Sequence, residues 1–104
     1  MRANAELLEG VDLNALDAGS TIDLETRRRR YQIKYLQGDR ISISGHPRWC
    51  PTPTLARLCG SWDSSGGFAE GYIGRGMRLV FERSDDRIQV TTSEVTDVRV
   101  IDQH

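Results

Sequence analysis

The strongest constraint on the fold is a two-residue alternation of apolar and polar side chains that recurs along the chain after residue 20. Ile22 and Leu24 alternate with Thr21, Asp23 and Glu25; Tyr31, Ile33 and Tyr35 alternate with Arg30, Gln32 and Lys34; Ile41 and Ile43 alternate with Arg40, Ser42 and Ser44. Residues two apart share one face of a strand, so each run has an apolar face to bury and a polar face to leave in water. Gln37, Gly38 and Asp39 form a turn between the last two runs, which predicts a β-hairpin. Residues 54–62 read as a further strand, short or at an edge. Met77, Leu79 and Phe81 then alternate with Arg78, Val80 and Glu82, and Ser84-Asp85-Asp86 turns the chain into a run with Ile88 and Val90 inward, a second hairpin.

Residues 1–19 break this pattern. Leu7, Leu8, Val11, Leu13 and Leu16 fall at mixed helical spacings interrupted by Gly10 and closed by Gly19, which predicts a short acidic helical arm before a β-domain over 20–104. At 104 residues the chain suits one domain with one core. The turn residues 63–67 mark a loop tip, and a one-turn interruption at Ser93-Glu94-Val95 is expected before a last strand through Val98 and Val100. Five or six short strands with hairpin turns describe a mainly β fold, a small antiparallel barrel or open sandwich. A hairpin, a one-turn interruption and a final strand in that order resemble the end of an SH3-like barrel; the likeness is to a fold and implies no activity.

No apolar run approaches the roughly 20 residues that cross a bilayer, and the acidic N-terminal stretch lacks the basic and apolar regions of a secretory signal, so a cytoplasmic setting with reduced Cys50 and Cys59 is expected. His46, Cys50 and Cys59, with Asp63 or His104, have zinc-ligand chemistry, but cysteines nine positions apart with no second pair do not match structural zinc spacing. A Cys50–His46 nucleophile needs side chains that converge, and Pro47 and Pro51 stiffen the backbone around them. The 46–59 stretch is therefore expected to be an extended connector, with Trp49 covering one end of the core and Cys59 packed inside. Gly71, Gly74 and Gly76 follow the order G-x-x-G-x-G with no helix after it, unlike a phosphate loop. Residues 39–45 read D-x-x-S-x-x-G, one residue longer than the D/N-x-S-x-x-G of the PilZ motif and too close behind the arginines, and no membership follows.

The most suggestive stretch is TRRRRYQIKYLQGDR. The net charge of −1 conceals an excess of five acids over bases in residues 1–26 and of four bases over acids thereafter, and lysine occurs once, as Lys34. With Tyr31, Ile33 and Tyr35 inward, Arg28, Arg30, Gln32 and Lys34 are expected to project together from the opposite face, with Arg40 and Arg48 extending the basic surface. The expected function is a non-enzymatic binding or regulatory module of a bacterial-type protein that contacts nucleic acid or another polyanion through Arg28, Arg30, Lys34, Arg40 and Arg48, without metal or cofactor. The alternative is a protein-interaction module using a sheet edge or an aromatic groove drawn from Trp49, Trp62, Phe68 and Tyr72, including a homodimer.

Overall fold

The computed structural model describes residues 9–102. Among them lie nine strands: β1 (Gly10–Asp12), β2 (Thr21–Thr26), β3 (Arg30–Gln37), β4 (Arg40–Ser44), β5 (Thr54–Trp62), β6 (Phe68–Glu70), β7 (Tyr72–Gly74), β8 (Arg78–Arg83) and β9 (Gln89–Asp102). β1 pairs with β7 as a small two-stranded sheet, and the other seven form one antiparallel sheet in the order β4-β3-β2-β9-β8-β5-β6. A further β4–β5 pairing closes this sheet in a ring. Closure depends on the length of β5, which holds β4 through Thr54 to Arg57 and β6 through Gly60 to Trp62 along one edge while β8 occupies the other.

In β2, β3 and β4 the alternation places the core as expected; in β8 Leu79 and Phe81 turn inward as expected, but Val80, expected on the polar face, is buried as well. Ile22, Leu24, Tyr31, Ile33, Tyr35, Ile41 and Ile43 turn inward and meet Ala56, Leu58, Leu79, Phe81, Val90 and Val98 in a single cluster. Each fully buried side chain of this size stabilises the fold by roughly 1.5–3 kcal/mol.

The described residues form nine strands where five or six were expected, and three further expectations need correction. Within the described part of the N-terminal segment there is no helical arm: residues 10–12 are β1, residues 13–15 are a single 3-10 turn, and Val11 and Leu13 enter the core; residues 1–8 lie outside the described residues. The described residues of this segment contribute apolar burial, with Leu16 packed against the core beside Val11 and Leu13. Second, the interruption that carried the SH3-like likeness is absent, because β9 runs unbroken from Gln89 to Asp102. Two register shifts, opposite Arg78/Val80 of β8 and Glu25/Thr26 of β2, each give β9 one extra residue. Such bulges reset the inward face from Val90 to Val95 and again to Val98, so a bulged strand imitates a turn in the sequence pattern. Third, Ile88 precedes β9 and is exposed.

Candidate functional site

β2 ends at Thr26 because the chain there begins a tight turn built on one hydroxyl. Thr26 Oγ1 accepts hydrogen bonds from the backbone N–H of Arg29 (3.0 Å) and Arg28 (3.3 Å) and from the Ser93 hydroxyl (2.9 Å), and donates to the Arg29 carbonyl (3.1 Å). A threonine that closes a turn on its own following backbone is the ST counterpart of an Asx turn. The Arg27 backbone N–H donates to the Glu94 carbonyl, and its guanidinium donates to the Glu94 carboxylate at 2.8 Å. Arg27 is thus neutralised locally, while Arg28 and Arg29 are carried past the sheet.

β9 outlasts β2: no residue of β9 before Val95 pairs with β2. The space beside residues 90–93 is a cavity of about 300 Å³, lined also by Arg28 and Arg29 from the turn, Tyr31 from β3, Arg78 from the start of β8, and His46 and Trp49 from the β4–β5 connection. None of the ion pairs among the described residues uses Arg28, Arg29 or Arg78, and no carboxylate lines the cavity. Burial pushes the Tyr31 phenol up to about 12, so it stays protonated at neutral pH.

The β4–β5 connection is a turn and not an extended link. The Gly45 and His46 N–H groups donate to the Cys50 carbonyl, the Cys50 N–H donates back to the His46 carbonyl at 3.0 Å, and His46 Nδ1 accepts from the N–H of Arg48 (3.1 Å) and Trp49 (3.3 Å). Trp49 packs against the core, as expected, while the Arg48 guanidinium covers its ring at 4.6 Å. Burial, then the charges of Arg29 and Arg48, hold His46 below the usual histidine range. The neutral ring with Nδ1 as acceptor carries its proton on Nε2.

Because the unfolded chain binds a proton on His46 more readily than the folded one, stability at this site is full above the ordinary histidine pKa of about 6.5 and declines as pH falls below it. His46→Asn keeps an acceptor for the two N–H groups and removes the titration. Denaturant melts from pH 7.5 to pH 5 are expected to show a smaller acid loss for this variant than for the native chain; equal losses would exclude His46 as the source.

Of the basic residues expected to form one stripe, Arg28 lines the cavity and Arg48 sits on the Trp49 ring beside it. Arg28 belongs to the turn and not to the strand face, since β3 begins at Arg30. Arg30 and Lys34 do point outward from β3, with Arg30 3.6 Å from the Glu25 carboxylate. Arg40 lies at the other end of the barrel, paired in register with Gln37 and Arg57. Arg30 and Gln37 bound β3 and stand roughly 23 Å apart at about 3.3 Å per residue, so Arg40 is remote from the cavity.

Arg29 and Arg78 were not among the expected residues. Arg29 shares the arginine run but falls on the inward phase of the alternation, and Arg78 is one outward residue among several until ring closure brings β8 to this end.

Cys50, not Cys59, is the core cysteine; Cys59 is half-buried, and burial pushes both thiols up. His46 and Cys50 meet through their backbones, and Asp63 spends its carboxylate accepting from Ser65 and Gly67 within its own loop. Among the described residues no three His, Cys, Asp or Glu side chains gather around a common point; His104 lies outside them. The aromatic expectation divides: Trp62 and Phe68 are exposed, with ring centroids 4.7 Å apart, and Trp49 and Tyr72 are partly buried. Compared with known proteins, the chain matches no family model, no curated protein and no solved structure.

Proposed function

We propose that the protein is a non-enzymatic binding or regulatory module for a polyanion, with nucleic acid as the leading partner, and that binding centres on the barrel-end cavity. The observation that carries this reading is the meeting of Arg28, Arg29 and Arg78 around one cavity with no carboxylate to neutralise them. Planar guanidinium groups that enter no ion pair are suited to phosphate oxygens, which they bind in pairs of parallel hydrogen bonds. Arg48 stands at the cavity's edge, Arg30 and Lys34 extend the positive surface along β3, and Arg40 serves a separate region.

With three phosphates of a single-stranded oligonucleotide neutralised, one at the cavity and two along Arg30 and Lys34 of β3, the expected slope of log K against log salt is about −2, a roughly 20-fold weakening between 50 and 200 mM salt. Arg28→Ala combined with Arg78→Ala is expected to weaken binding at least tenfold and to flatten the slope, as read by fluorescence anisotropy. Binding indifferent to salt, or the absence of binding, would remove the proposal.

A second reading, a protein-interaction module, draws on the exposed Trp62–Phe68 pair where β6 joins β5, together with Leu55 at 54% exposure on β5. A stable dimer in light scattering without salt-dependent nucleic acid binding would favour it.

A further inference from the structure

The cavity also says which part of an anionic ligand enters it. We infer that the site takes a phosphomonoester group, a terminal phosphate dianion, and not an internal phosphodiester of a nucleic acid strand. This inference rests on the polyanion reading for the site's location and goes beyond it in the chemistry of the ligand.

The aromatic surfaces at the cavity are already occupied. Trp49 packs against the core and is covered by the Arg48 guanidinium at 4.6 Å, and Tyr31 is 2% exposed with its ring set edgewise to Phe81. Single strands are held along their length largely by bases stacked on free aromatic faces, and the site has none to give. Its resources are charge and hydrogen-bond donors. Arg28, Arg29 and Arg78 come from two separate elements, and His46, which also lines the cavity and whose Nδ1 is taken by two backbone N–H groups, keeps Nε2–H as its one ring donor. Three guanidinium groups match the three terminal oxygens of a monoester, which carries nearly two negative charges at neutral pH; an internal diester has one charge and two free oxygens.

Size points the same way. About 300 Å³ is at the small end of ligand pockets, ample for a phosphate and its ester oxygen and small for a run of nucleotides. The turn is held in advance by hydrogen bonds between Thr26 Oγ1 and the backbone of Arg28 and Arg29, so the backbone that carries the two arginines needs little reorganisation when the anion enters.

The same chemistry has two sources, the 5′-phosphate of an oligonucleotide and a small free phosphomonoester. One labelled 12-mer is measured with a 5′-phosphate and with a 5′-hydroxyl, and inorganic phosphate is titrated into the protein alone and as competitor. At least tenfold tighter binding of the phosphorylated strand, competed by inorganic phosphate, supports the inference with the nucleic acid end as source. Saturable binding of inorganic phosphate with neither strand bound supports it with a small phosphomonoester as source and removes the nucleic acid reading.

Equal affinity for both strands without competition by phosphate overturns the inference and leaves the polyanion reading standing. No binding of strand or phosphate overturns both. Arg78→Lys retains the charge but not the fork, and is expected to weaken phosphate-dependent binding at least fivefold; an unchanged affinity would also overturn the inference, and the exposed position of Arg78 leaves the fold intact in this variant.

Discussion

Phe81→Ala is expected to remove about 3–5 kcal/mol of folding stability, the range for truncating a fully buried aromatic side chain. Phe81 is 0% exposed in β8, opposite Leu58 of β5 and Val90 of β9, with its ring 6.5 Å from Tyr31 at an interplanar angle of 71°. The closed ring leaves few ways to fill the space, because both neighbours of β8 are themselves fixed by pairing on their other edges. For a domain of this length the loss corresponds to a fall in Tm of roughly 15–30 °C. Tyr31 lines the cavity, so the variant that still folds is expected to bind phosphate more weakly as well. Urea melts showing a loss below about 1 kcal/mol would refute the placement of Phe81 at the centre of the core.

Gly45→Ala is the second large effect, and it links the fold to the site. Gly45 has φ of 131°, and a Cβ there would meet the Arg30 carbonyl oxygen and approach the Tyr31 Cα to 2.9 Å. The backbone of the β4–β5 connection lies directly on β3 at this point, which is how His46 and Trp49 come to flank Arg28 and Arg29.

Gly38, in the β3–β4 turn, provides the control: its φ is 62°, but a Cβ there has nothing within 4 Å. Gly38→Ala is expected to cost about 1–2 kcal/mol from conformation alone. Gly45→Ala adds backbone overlap to conformational strain of about 1–3 kcal/mol, and is expected to cost more than the control and to weaken anion binding. Equal losses for the two variants, with binding unchanged in both, would show that the close approach at Gly45 has no structural consequence.

The inward set of β2, β3 and β4 followed from the alternation, since it is a local property of an extended backbone and depends on no partner. The Asp63 loop and the turn at Gly38 followed for the same reason: their residues close on themselves. The alternation misled where geometry departed from the regular strand. Two bulges in β9 read as an interruption, β1 is too short to show a period, and the prolines around Trp49 concealed a turn closed by hydrogen bonds to His46.

The basic surface shows the same division. An arginine-rich segment preceding an amphipathic strand was evident from residues 27–34 alone, and so was the outward direction of Arg30 and Lys34. The site was not. Arg28 and Arg29 meet Arg78 and His46 only because β2 is six residues long, β9 continues past it, and the ring closes through β4 and β5. Which face a side chain takes is settled by its own strand; which charges gather at one end of a barrel is settled by strand order, length and register, and these exist only in the folded chain.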